Sequence, residues 1–168
     1  MSDRRLLIYL DDHVALMVAE VELISRCRRS NGVTPLGNFL QQLENEVQAQ
    51  KTVVSDVIHR LGGKVTIEGR LKQGAAWVAE KVGRLKVNDS LLKYSELSRV
   101  IELETMAAAA LERTVLWDTL GTVADNDSRL DGISFSFFRD QSQQHLDELN
   151  SRRQFAAAEA FARRGSRT

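Results

Sequence analysis

An all-α fold, four long helices forming two antiparallel hairpins joined by a long, partly helical connection, is predicted by three features of the chain. The 168 residues hold one proline and ten glycines and are rich in Ala, Leu, Glu, Gln and Arg, a composition that suits helix interiors. Apolar residues recur at alternating steps of three and four over four long stretches, the period of a helix with one buried face. Turn-forming groups, Asn31-Gly32, Gly62-Gly63 and Asp125-Asn126-Asp127, separate these stretches where hairpin loops are needed.

The first helix is predicted over about 3–30, stopped by Asn31-Gly32, with Leu10, His13, Met17, Glu20, Ile24 and Cys27 on one face. Thr34 offers a capping oxygen and Pro35 a pre-set first turn for the second helix, 35–61, which Gly62-Gly63 ends. Its apolar seam runs Leu36, Phe39, Leu43, Glu46, Gln50, Val53 and Val57. So few residues separate these helices that they must fold back as a hairpin. Residues 66–86 keep helical spacing, but Gly69, Gly74 and Gly83 interrupt it, so a broken helix is expected as the connection between hairpins, with Trp77 as a packing anchor.

The third helix is predicted over 90–120, after the capping residues Asn88-Asp89-Ser90, with a seam of Leu97, Val100, Ile101, Glu104, Ala107, Ala108, Leu111 and Val115. The fourth is predicted over 127–163 and carries Phe138, Gln141, Ser142, His145, Leu149 and Ala156 along one side, ahead of a frayed tail at 165–168. Asp127, Asp131 and Gly132 echo a calcium loop, but Phe138 stands where that loop needs its bidentate carboxylate, which excludes the motif.

Twenty-three basic and twenty-three acidic residues cancel, so no global field draws the chain to nucleic acid or to an anionic membrane. Neither is an expected partner. No charged-then-apolar leader and no run long enough to span a bilayer are seen, so a cytoplasmic protein is expected, with Cys27 a buried thiol.

Four polar residues, one per long helix, interrupt these seams: Glu20, Glu46, Glu104 and His145. Residues equidistant from a hairpin loop lie at equal height, and counting from Val33 pairs Glu20 with Glu46, while counting from Asp125 pairs Glu104 with His145. Carboxylates and an imidazole converging in an apolar interior need neutralising. A divalent cation would do this, and so would a metal-free network completed by arginines such as Arg60 or Arg99. Helix taper would instead leave some of the four exposed.

At these residues the chain resembles the ferritin-like superfamily, nearest to the small bacterial stress-associated ferritin-like proteins of unknown function. The resemblance covers most of 5–160 and is carried by Ala19-Glu20, Leu43-Glu44-Asn45-Glu46 with Gln50, Leu61-Gly62-Gly63-Lys64, Glu104 with Leu111, and His145. It implies an up-down four-helix bundle, and iron or manganese held by Glu20, Glu46, Glu104 and His145 for storage, peroxide removal or oxygen chemistry. Ala49 and Ser142 depart from the superfamily's second Glu-x-x-His pairs, so the site is incomplete. Two functions stand open: a non-catalytic, stress-related or scaffold bundle without a cofactor, and an iron- or manganese-binding protein with oxidase or peroxidase character. A homodimer or higher homo-oligomer is the expected assembly, its contacting face unspecified. An adaptor role would need an exposed patch, for which Phe135, Phe137, Phe138 and Phe155 are the candidates if they are not core.

Overall fold

The computed structural model describes residues 3–65 and 95–162. Among the described residues there are four long helices and no strand: α1 (Asp3–Asn31), α2 (Pro35–Arg60), α3 (Glu96–Ala124) and α4 (Phe135–Phe161), with a 3-10 turn at Ser128–Leu130. The expected broken helix at 66–86, Trp77 and the tail at 165–168 lie outside the described residues.

Local chemistry sets the helix ends. Gly32 takes φ +54° and donates its N–H to the Arg28 carbonyl at 3.0 Å, closing α1. Thr34 then caps α2 from an extended backbone, its hydroxyl oxygen accepting the Gly37 N–H at 3.1 Å, and Pro35 opens the first turn. The turn is tight enough that a Cβ on Gly37 would lie 1.9 Å from the Gly32 carbonyl oxygen, so only glycine fits. At the other end of α2, Gly62 adopts φ +78° while the N–H groups of Gly62 and Gly63 reach the carbonyls of His59 and Ile58, the paired bonds of a Schellman stop.

The second hairpin departs from expectation in phase and length. Ser95, not Ser90, caps α3, its hydroxyl accepting the Ser98 N–H at 3.1 Å. Gly121 does not stop the helix, which continues to Ala124. α4 begins at Phe135 instead of 127, because Asp127 turns its carboxylate onto the Arg129 N–H and Gly132 takes φ +82°, spending that stretch on a loop. Arg129 bridges Asp127 and Asp3, and Arg60 donates to the carbonyls of Arg129 and Asp131, which pins this loop to the start of α1 and the end of α2.

Ion pairs give the helix directions. Arg28 meets Glu44 across α1 and α2, and Arg99 meets Glu159 while Arg139 faces Asp118 across α3 and α4, so both hairpins are antiparallel. Arg26 with Glu102 and Glu20 with Arg113 set α1 antiparallel to α3 as well. It follows that α2 and α3 run in the same direction, and Leu61 and Ser95 lie at opposite ends of the bundle.

One apolar cluster runs through all four helices, with Leu10, Met17 and Ile24 of α1 against Leu40, Leu43 and Val54 of α2 and Leu103, Met106 and Leu120 of α3. Each such side chain contributes about 1.5–3 kcal/mol on burial. α4 adds only Phe135, Leu149 and Ala156 to it, because Ser142 and His145 occupy its remaining inward positions. Phe138 packs on Trp117 with ring centroids 4.8 Å apart, whereas Phe137 and Phe155 are exposed. Between the hairpins, α1 meets α3 at Glu20–Arg113 and Arg26–Glu102, while α2 and α4 barely touch and leave a polar cleft of about 370 Å3.

Candidate functional site

The centre of the bundle holds an arginine. The side chain of Arg113, on α3, is only 2% exposed and lies level with Glu20 of α1, itself 2% exposed. Its Nε donates to Glu20 Oε2 at 2.9 Å and its Nη2 to Oε1 at 3.1 Å, the two-pronged geometry a planar guanidinium makes with a carboxylate. The third nitrogen, Nη1, points the other way, to Gln50 Oε1 (3.1 Å), Ser142 Oγ (3.2 Å) and His145 Nδ1 (3.1 Å). One residue thus gathers side chains from all four helices.

The donors around Gln50 fix its orientation. Arg113 and the indole Nε1–H of Trp117 (2.9 Å) can only donate, so the oxygen of Gln50 faces them, and its amide nitrogen donates outward to Gln141 Oε1 at 2.8 Å. Ser142 receives a bond from Arg113 and gives one to Gln50 Oε1 at 3.1 Å. The same logic assigns the proton on His145. Because Arg113 presents a donor to Nδ1, that nitrogen must carry the lone pair, and Nε2 carries the hydrogen it gives to Glu46 Oε2 at 2.5 Å. Glu46 also accepts from Gln42 at 2.9 Å and stands at the floor of the α2–α4 cleft with His145.

The electrostatics agree with that proton count. Burial, reinforced by the Arg113 charge, pushes the His145 imidazole below its ordinary value of 6.5 despite the Glu46 carboxylate, so the ring is neutral near pH 7. Burial raises the Glu46 carboxyl, but the hydrogen bonds from Gln42 and His145 and the nearby positive charge outweigh it and leave the group below 4.5. Burial pushes Glu20 up, with Arg113 opposing through its charge and its hydrogen bonds.

Three of the four residues singled out from sequence meet here, and the fourth does not. Glu20 bonds Arg113 directly, His145 bonds it through Nδ1, and Glu46 joins through His145. Glu104 lies on the surface, its side chain 52% exposed and 3.9 Å from Arg153. The pairing of Glu104 with His145 rested on a loop centred at Asp125. With α3 ending at Ala124 and α4 starting at Phe135, the midpoint falls between Arg129 and Leu130, and reflecting His145 about it gives Thr114, beside Arg113. The α3 seam is correspondingly out of phase: its buried line runs Leu103, Met106, Ala110, Arg113, Trp117 and Leu120, while Leu111 and Val115 are each 51% exposed.

The cation that completes the network is therefore neither Arg60, which bonds loop carbonyls, nor Arg99, which meets Glu159. Arg113 was missed, although it breaks an apolar line at steps of three and four in the same way as Glu20 does. The acid on the inner side of α3 is Glu102, 3% exposed and joined to Arg26 at 2.9 Å.

These donors do not fit an iron or manganese centre formed by Glu20, Glu46, Glu104 and His145. Glu104 is on the surface, both oxygens of Glu20 are taken by a guanidinium, and a fixed positive charge stands between Glu20 and His145. Among the described residues, no group of three or more His, Cys, Asp or Glu side chains is placed to hold a metal. No described helix is long and apolar enough to cross a membrane. Compared with known proteins, the chain matches no family model, no curated protein and no solved structure.

Proposed function

We propose that the protein is a ferritin-like helical bundle with a non-catalytic, stress-related or scaffold role, in which Arg113 takes the part a metal ion plays in metal-loaded bundles. The carrying observation is the guanidinium itself, buried and bonded to Glu20, Gln50, Ser142 and His145 at once. It supplies the positive charge that the inward acid needs, and its five N–H groups demand partners from specific positions on all four helices. A shift of any helix by one residue would strand buried polar groups, so the network selects one register. The ferritin-like part of the proposal is supported by the two antiparallel hairpins with α2 and α3 running the same way, on top of the sequence resemblance.

Elemental analysis of protein purified without chelator, run beside Glu46→Ala, tests this. The expected result is no stoichiometric metal, with Glu46→Ala folded and weaker by about 1–2 kcal/mol, since it loses the hydrogen bonds from His145 and Gln42 at the edge of the cleft. Stoichiometric iron or manganese that disappears in Glu46→Ala would overturn it in favour of the metal-binding oxidase or peroxidase.

A further inference from the structure

The floor of the α2–α4 cleft is a carboxylate bonded only by neutral donors. Glu46 accepts from His145 Nε2 and from the Gln42 amide, and it is ionised at neutral pH while the imidazole is not. The buried acids Glu20 and Glu102 each have a guanidinium instead, from Arg113 and Arg26. Arg113 reaches Glu46 only from behind His145, with two of its three nitrogens committed to Glu20. The opposite charge stands at the other end of the same cleft. Arg152 lies over the Phe39 ring, 4.2 Å from its centroid, with one nitrogen on Glu148 at 3.2 Å and its Nε without a hydrogen-bond acceptor. We propose that this cleft binds a small ω-amino acid, its ammonium on Glu46 and its carboxylate on the Arg152 guanidinium.

Helix spacing sets the length of the ligand. Phe39 precedes Glu46 on α2 by two helical turns, and Arg152 follows His145 on antiparallel α4 by the same interval, so guanidinium and carboxylate stand about 10 Å apart along the cleft. Allowing a hydrogen bond of about 3 Å at one or both ends leaves about 4–7 Å between the ligand's nitrogen and its carboxylate, the span of roughly four to six carbons. An α-amino acid, with both charges on one carbon, is too short. Each end supplies what its partner needs. A carboxylate offers about four lone-pair sites, of which Glu46 has used two, so it can accept two N–H groups of an ammonium, and the Gln144 amide in the cleft wall can accept a third. Glu148 takes one of the five N–H groups that Arg152 offers, and Phe39 and Leu43 give the methylene chain an apolar wall. A diamine would press its second ammonium against Arg152, and a simple carboxylate would leave Glu46 without a cation, so the two ends together select a zwitterion. The volume of about 370 Å3 falls among those of small-molecule sites.

Calorimetric titration of the full chain at neutral pH with 4-aminobutanoate and 6-aminohexanoate tests this. EDTA is present throughout, which keeps the result separate from the metal content that decides the scaffold reading. Saturable one-to-one binding is expected for at least one of the two. Butylammonium, butanoate and 1,4-diaminobutane should each bind about tenfold more weakly or worse, because each lacks one of the two charged contacts. Glu46→Gln and Arg152→Gln should each weaken binding of the amino acid by about tenfold or more, while Glu104→Ala, on the outer surface, binds as wild type does. Circular dichroism checks that each variant is folded, and the Arg152 side chain, 31% exposed at the rim, can be changed without opening the core should Glu46→Gln fail that check. No saturable heat up to ~10 mM, a monoamine or diamine that binds as tightly as the amino acid, or unchanged binding in either folded variant would overturn the proposal.

Discussion

Replacing Arg113 by methionine removes the charge while keeping an unbranched side chain of comparable length, so its cost measures the polar network more than lost packing. Glu20, its carboxylate 2% exposed, would lose both of its hydrogen bonds and its counter-ion. Breaking a buried pair on one side costs about 3–5 kcal/mol. His145 Nδ1 would lose its donor, adding about 1–3 kcal/mol, whereas Gln50 Oε1 keeps Trp117 and Ser142 and adds little. The expected total is about 4–8 kcal/mol, a large part of the 5–15 kcal/mol that stabilises a typical domain. Urea unfolding followed by circular dichroism reads this directly: with a slope of about 2 kcal/mol per molar, the midpoint should fall by about 2–4 M. The double variant Glu20→Leu with Arg113→Met removes both charges and should recover most of the loss, since a buried pair exchanged for apolar residues is often neutral or better. A single variant that loses less than about 1 kcal/mol, or a double variant no better than the single, would refute the claim that Arg113 is held as Glu20's obligatory partner.

Three further outcomes follow from the same geometry. Glu104→Ala should change stability by less than about 0.5 kcal/mol in urea unfolding, because the side chain is half exposed and the Arg153 guanidinium is 3.9 Å away. Gly37→Ala should cost about 1–3 kcal/mol by the same assay, since its Cβ would meet the Gly32 carbonyl oxygen at 1.9 Å and the backbone of the first loop must move. Stability should fall on acidification below about pH 6.5: burial depresses both His145 and His13, the folded chain binds their protons less tightly than the unfolded chain, and the stability present above 6.5 is lost as pH falls through the folded values. Glu46, also depressed, extends the loss below 4.5, while Glu20, raised by burial, acts in the opposite sense. Melting temperatures between pH 8 and pH 5 for wild type and His145→Gln check this, the variant giving the flatter curve.

Residue pattern alone determined the helices of the first hairpin nearly to the residue, because capping is local chemistry: Thr34-Pro35 starts α2 and Gly62-Gly63 ends it whatever else the chain does. The inward line of α1, from Leu10 through His13 and Glu20 to Cys27, was equally legible, since its members recur at steps of three and four and all of them are buried. α3 was different. Two apolar lines wrap it, and periodicity does not say which one turns inward; burial chose the line containing Arg113 because Glu20, Gln50, Ser142 and His145 wait for a cation on that side. α2 shows the same limit in milder form, with Leu40, Val47 and Val54 inside and Glu46 displaced to the edge. Hydrophobic spacing fixes that a helix has a buried side, but the partner of a buried charge comes from 93 residues away, and only packing of the four helices brings Glu20 to Arg113.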